Sequence, residues 1–330
     1  MTALSRHALG TWGCLLMISM SATYAQPKAP AGNYPTKPVR TIVGQSPGGG
    51  GDILMRLVAQ KLTERFGQSF IVENIPGASG MIGMAAVVRA EPDGHTFFQT
   101  SSASYNNAVL SGNASFDVRK ALIPVAQLSS SPNVISVNAS LPIKSVSDLI
   151  AYAQANPSKL NYSSGGIGSS SHLNGELFKS RAGIEAEHIP HKGVSPALLD
   201  LVAGRAQFTF ASATATAPHV KTGKIRAIGI SSIRRSPNLP DLPTLSESGL
   251  TGYDFTGWIG LMAPAGTPQP IVMAINRPVA QTLQSPDVMK VLTADGTDAA
   301  PGTPEDMQAA IDSALSVATK LVKDLGLKLN

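Results

Sequence analysis

Hydrophobic positions along this chain follow two alternating rhythms. Val39–Val43 is a short β-type run. After a Gly-rich turn, Ile53, Leu54, Leu57, Val58, Leu62 and Phe66 recur at helical spacing, and Gly67 stands where a left-handed residue closes a helix. Strands are expected at Phe70–Glu73 and His95–Gln99, with a helix after Gly80 between them, so the opening reads β-α-β-α-β. The rhythm restarts after Pro132. A strand at Val134–Val137 precedes a helix opened by Ser145-Val146-Ser147-Asp148 in capping-box style. Leu160–Ser163 then leads into a second Gly/Ser-rich turn, Ser164 to Ser171, and a helix carrying Leu173, Leu177 and Phe178. Ser195-Pro196 opens another helix that Gly204 ends, and Gln207–Phe210 and Arg226–Ile230 read as strands. A Pro-rich surface run from Ser236 to Pro243, a core strand at Trp258–Pro264, and a long amphipathic helix complete the chain. That helix is capped by Thr303-Pro304-Glu305-Asp306 and ends near Gly326.

This order predicts an α/β protein of two lobes, with a mixed or parallel sheet in each. Leu122–Leu128 is expected to carry the chain out of the first lobe and Asp254–Ala263 to bring it back. Lobe 1 would then be discontinuous, 26–127 plus 254–330, and lobe 2 would span 128–253. Two crossings define a hinge axis suited to closure on a ligand.

Residues 1–25 belong to export rather than to the fold. Arg6 and His7 precede an apolar run from Ala8 to Met20, and Thr23-Tyr24-Ala25 places small residues at the −3 and −1 cleavage positions. Cys14 lacks the leucine of a lipobox, so a cleaved signal peptide and a periplasmic mature chain are expected. Cleavage near Ala25 would remove the chain's one cysteine, leaving no disulfide, thiol nucleophile or Cys-ligated metal. With 330 residues, 43% hydrophobic and 14% charged, and a mean hydropathy of +0.08, the rest fits a globular protein of two domains. The pI near 9.3 is not matched by any Lys/Arg run interleaved with aromatics, which together with export argues against nucleic acid.

The sharpest local features are the two strand–loop–helix turns, Ser46–Asp52 and Ser163–His172. Glycines let a ligand approach the backbone, and the helix behind each loop presents unpaired N–H groups and about half a positive charge. Such ends bind anions without a cationic side chain. Candidate ligand-binding residues are therefore Gln45, Ser46, Gly48, Gly49, Gly50 and Asp52 in the first turn, with Ser164, Gly165, Gly166, Ser169 and Ser170 in the second. Ser79, Ser101, Ser102 and Ser212 lie in small polar loops beyond other strands, where ligands of open α/β sheets sit. Asp52 occupies the expected N-cap. Valine at Gly49 or Gly166 is expected to block the helix start with the fold intact. Gly48–Asp52 is not a dinucleotide fingerprint, because Ile53 takes its last glycine position, and no P-loop lysine follows. There is no G-x-S-x-G elbow and no H-E-x-x-H, and His188 and His191 fall in a segment without nearby acids. No catalytic residue, metal ligand or cofactor is assigned.

The chain also resembles the Bug family, periplasmic receptors of tripartite tricarboxylate transporters. The resemblance rests on Tyr34-Pro35 through Pro38, Pro47-Gly48-Gly49 with Asp52, Val72-Glu73-Asn74 with Pro76-Gly77-Ala78, and Pro92-Asp93-Gly94. It continues through Ser169–Leu173 with Gly175-Glu176-Leu177-Phe178, Lys192-Gly193, Arg235-Ser236-Pro237 with Leu239-Pro240, and Glu247-Ser248-Gly249. Gly260-Leu261 and Ala263-Pro264-Ala265-Gly266-Thr267-Pro268 complete it. The resemblance implies a Venus-flytrap fold without catalysis, and a di- or tricarboxylate, acidic amino acid or related acid as ligand. The protein would be a monomer that hands its ligand to inner-membrane transporter subunits, or reports it to a sensor protein. A hydrolase or isomerase on the same scaffold is the competing reading. The chain departs from the family at Gly44-Gln45, where Pro-Phe is usual, at His191, where Tyr is usual, and at Gly50 and Gly51, where Ser or Thr is frequent. His191 is thereby expected to line the cleft and to strengthen anion binding when protonated.

Overall fold

A computed structural model describes residues 34–111, 114–157, 159–324 and 326. The expected signal peptide lies outside these residues. No helix among those described is long and apolar enough to cross a membrane.

The first lobe is built on β1 (Val39–Val43), α1 (Gly50–Phe66), β2 (Phe70–Asn74), α2 (Met81–Val88), β3 (Thr96–Ser101), α3 (Ser102–Leu110), the short α4 (Val118–Ala121) and β4 (Leu122–Ser131). The chain then builds the second lobe with β5 (Asn133–Asn138), α5 (Val146–Ala155), β6 (Asn161–Ser164), α6 (Ser170–Ala182), β7 (Glu187–Pro190) and α7 (Val194–Val202). β8 (Phe208–Ser212), α8 (Ala213–Lys221) and β9 (Ile225–Ile230) complete that lobe. It returns through β10 (Gly257–Pro264), α9 (Gln269–Thr282), α10 (Pro286–Asp295), β11 (Asp298–Ala299) and α11 (Pro304–Asp324). The first sheet runs β11-β4-β10-β3-β1-β2 and the second β7-β6-β8-β5-β9. Both are mixed: β1, β2 and β3 are mutually parallel, as are β6, β7 and β8, while β10 and β5 run antiparallel to their neighbours.

Leu122–Leu128, expected to be the outward crossing, lies wholly inside β4 of the first sheet. The passage falls at Pro132, which has no N–H to extend a ladder and so ends one sheet before β5 begins the other. The two ends that exchange chain are neighbours, since Ser131 pairs with Gly257.

Apolar side chains cover both faces of the first sheet. Leu54, Val58 and Leu62 of α1 pack with Val272, Ile275 and Val288 on one face, and Met84, Tyr105, Met307 and Ile311 pack on the other. In the second lobe Tyr162, Phe178, Phe208 and Phe210 form the centre of the core. Gly175 in α6 is required there, because a Cβ would stand 2.3 Å from the Tyr162 ring. Helix α11 touches both lobes: Met307 and Ile311 belong to the first, while Leu321 is buried in the core of the second. On the opposite side the Pro-rich run is pinned to the first sheet. Ser236 Oγ and Asn238 Nδ2 donate to Asp298 Oδ1 at 2.8 and 2.9 Å, and Asn238 Nδ2 also reaches Thr297 O.

Candidate functional site

Six helices begin beyond the carboxyl ends of parallel strands. α1, α2 and α3 follow β1, β2 and β3 in the first lobe, and α6, α7 and α8 follow β6, β7 and β8 in the second. The caps are Gly49, Gly80, Ser101, Ser169, Gly193 and Ser212. The three serine caps accept from Ser104 N, His172 N and Ala215 N, each at 3.3 Å. Every such start leaves N–H groups without intrahelical partners and a positive dipole end, which together suit an anion.

In the first lobe, α1 begins two residues before Asp52, so Asp52 is not the N-cap but the third helical residue. Its carboxylate folds back to accept from Gly48 N at 2.9 Å, Asn74 Nδ2 at 2.9 Å and Arg56 Nε at 3.1 Å. Asp52 is 2% exposed, and these bonds engage both oxygens beneath the loop. Burial pushes its pKa up, but the bonds from Arg56, Gly48 and Asn74 outweigh that and hold it below the ordinary carboxylate value. Asp52 thus shapes the turn while Ser46, Gly48 and Gly49 stand exposed above it. Gly48 needs its positive φ of 87°, whereas Gly49 is extended, with φ −74° and open space around it. Ser79 is exposed in the next loop, in a left-handed conformation. Ser102 Oγ accepts from Trp258 N at 3.2 Å, tying the start of α3 to the returning strand.

The second turn uses most of its own amides. Gly165 N donates to Ser171 Oγ, Gly166 N to Ser164 Oγ and Gly168 N to His172 Nδ1, at 2.9–3.1 Å, and Ser169 N reaches Gly166 O. What remains for a ligand are the N–H groups of Ser170 and Ser171 at the start of α6. The 191–194 segment crosses so close that a Cβ at Gly166, where φ is +124°, would stand 3.0 Å from His191 O. Valine at 166 therefore disturbs the loop, contrary to the sequence expectation of an intact fold. Beneath it, the His188 ring stacks between Tyr162 and His172, centroids 4.8 and 4.2 Å away, and its Nε2 lies 2.6 Å from Ser164 Oγ.

Acids do lie close to these histidines, Glu185 and Glu187 in the chain itself, contrary to the expectation above, and Asp200 once it is folded. His191 Nε2 is 2.8 Å from Asp200 Oδ2, too poorly aligned for a hydrogen bond, and Asp200 also holds Arg205. The imidazole thus faces an acid of its own lobe. By calorimetry His191→Tyr should therefore leave ligand affinity close to that of wild type, and a large loss would mean that the ring leaves Asp200 for the ligand.

A cavity of about 220 Å³ brings Ser102 of the first lobe and Ser170 of the second onto one surface, with Asn106, Leu173, Phe255 and Ala318 among its walls. Ser170 Oγ accepts from Asn133 Nδ2 at 2.9 Å. Sequence reasoning missed Gln99 and Asp295. Gln99 was visible as a lone amide among Thr96-Phe97-Phe98 in a strand, an odd residue for a buried position. Asp295 left no local signal. Gly296 beside it sits between lobes: a Cβ there would meet Thr214 of α8 at 2.8 Å.

A family model described as "Tripartite tricarboxylate transporter family receptor" matches residues 54–327. The chain is 33% identical to protein BugT of Bordetella pertussis, over 91% of this chain and 92% of that one. Among solved structures it is similar to R. palustris Rpa4515 with adipate, at 36% identity and a TM-score of 0.64, covering 89% of this chain and 98% of the other. A TctC solute-binding protein from Polaromonas, with no ligand, gives a TM-score of 0.79 at 28% identity, covering 88% and 99%.

Proposed function

The chain belongs to the tripartite tricarboxylate transporter receptor family, and from that premise we propose that it captures a small carboxylate between its lobes and does not turn it over. The observation that carries this reading is the set of six helix starts at the carboxyl ends of parallel strands, three from each lobe. They offer an anion oriented N–H groups rather than a nucleophile and base. Exposed Ser46, Gly49, Ser170 and Ser212 fit an open cleft. A hinge through the paired Ser131 and Gly257, where the chain leaves and re-enters the first sheet, would let the α1 and α6 starts close on opposite ends of one ligand. In this reading the mature chain is periplasmic and monomeric, without cofactor, and passes its ligand to membrane subunits of a transporter.

A matching carboxylate at about 100 times its dissociation constant should add about 2.7 kcal/mol of stability and raise the melting temperature by several degrees. A broad panel of carboxylates and amino acids, scored by thermal shift and by mass spectrometry of the recovered compounds, tests this. No shift with any acid, or chemical conversion of one, defeats the reading.

A further inference from the structure

The start of α1 is unlike an ordinary anion cradle in the side chains that surround it. Gln99, on β3 beneath the first helical turn, is 1% exposed, and neither Oε1 nor Nε2 has a partner. A primary amide with both ends unsatisfied in a buried position is costly, because it has given up its water without gaining a partner. It lies against the helix backbone: a Cβ at Gly51 would stand 2.8 Å from Gln99 Nε2 and 3.4 Å from Gln45 Oε1. Any side chain at 51 would fill the space between these amides and the turn. On the adjoining side, the carboxylate of Asp295 comes within 2.5–2.8 Å of where a Cβ of Gly50 would be. No Lys, Arg or His lies within ion-pair distance of Asp295 among the described residues, and partial desolvation of its carboxylate, though the residue is exposed, raises its pKa with no cation to oppose that. The other acid of this turn, Asp52, is already neutralised by Arg56.

A second carboxylate brought to this end could accept from the glutamine NH2 groups, but it would leave Gln99 Oε1 unpaired and face the uncompensated carboxylate of Asp295. A group that accepts through one atom and donates through another meets complementary partners instead. The N–H groups of Gly50 and Gly51 would serve its acceptor, and Gln99 Oε1, Gln45 Oε1 and Asp295 its donor. We propose that the α1 end of the cleft is an amide-reading subsite, in which Gln99, Gln45 and Asp295 select a ligand whose far end is a neutral carboxamide over one ending in a second carboxylate. This rests on the carboxylate-receptor reading above and adds the chemistry of one end: the acid is held at the α6 start and the amide at the α1 start.

The test is calorimetric titration of three matched pairs near pH 7.5: succinate and succinamate, glutarate and glutaramate, adipate and adipamate. At the best-fitting chain length the half-amide should bind at least about tenfold tighter than the diacid, as expected where a site's own polar groups go unpaired with the wrong ligand. Asp295→Asn should shrink that ratio below about threefold by improving the diacid, and Gln99→Met should shrink it by weakening the half-amide. Asp295 is an exposed residue at the end of α10, so its variant keeps the test alive if Gln99→Met fails to fold. Equal or tighter binding of the diacid, or a ratio unmoved in both variants, overturns the proposal and leaves Gln99 a buried amide met by water. Binding of other acids but of no half-amide overturns it equally. In each of those outcomes the receptor reading survives, whereas binding of no carboxylate at all defeats that reading first.

Discussion

Valine at position 49 is expected to lower affinity for a bound carboxylate ligand by about ten- to a hundredfold, with a loss of no more than about 3 °C in melting temperature. Gly49 caps α1 in an extended conformation with nothing within 4 Å, so an added side chain meets no neighbour and no backbone strain. It also provides no side-chain cap bond, so replacing it removes none. The cost to the fold is then the few tenths to about 1 kcal/mol by which valine is a poorer cap than glycine. The cost to binding is larger, because a branched side chain stands between a ligand and the N–H groups of Gly50 and Gly51. Hydrogen bonds of that kind contribute about 1.5–3 kcal/mol when one partner is charged. Calorimetry and a thermal melt on the same preparation separate the two effects. Wild-type affinity in a folded Gly49→Val protein would remove the α1 start from the site. Gly166→Val is the poorer probe, since its positive φ and the nearby His191 carbonyl make any loss of binding inseparable from a distorted loop.

Acid should destabilise the protein by roughly 2–3 kcal/mol between about pH 7 and pH 4 through His188 alone, allowing for partial solvent screening. Burial pushes the His188 pKa down to about 4, the positive charge of His172 adds to this with smaller parts from Lys179 and His191, and Glu176 opposes them. A histidine whose folded pKa lies below its unfolded value binds fewer protons in the native state. Stability therefore rises with pH between about 4 and 6.5, is complete above that window and falls as acid is added through it. The ring is held between Tyr162 and His172 with Nε2 on Ser164, so protonation would place a charge under the second Gly/Ser turn. Urea unfolding at a series of pH values should show a shallower dependence for His188→Gln than for wild type. A histidine titration by NMR should place His188 near 4. Equal slopes for the two proteins would show that the acid loss arises elsewhere.

Much of the fold was legible because its causes are local. The β-α-β-α-β rhythm, the glycine that closes α1 at Gly67 and the Gly/Ser turn that opens α6 all follow from residues within one or two turns of each other, whereas Ser101 and Ser212, read from the sequence as polar loops, cap the helices α3 and α8. The two Gly-rich turns stood out for the same reason, and both lie at strand-to-helix junctions. Even the departure at Gly44-Gln45 pointed to the first of them. Periodicity could not say that α11 begins in one lobe and buries Leu321 in the other, nor that the strap at Ser236 would fasten to Asp298.

The chain by itself thus determined the doubled α/β pattern and the two Gly-rich turns where backbone N–H groups emerge. Tertiary structure decided what those groups face. Asp52 moved from cap to buried strut because Asn74, twenty-two residues on, and Gly48 reach its carboxylate together. His191 acquired Asp200, and the second turn used amides that its sequence had left free. Gln99 and Asp295 came to flank the same helix start from a strand before the first crossing and a helix after the second. A backbone hydrogen bond depends on neighbours a few residues away, so sequence carries it. The environment of a side chain depends on chain segments that meet only when the lobes are folded, and that is where the chemistry of the α1 start was settled.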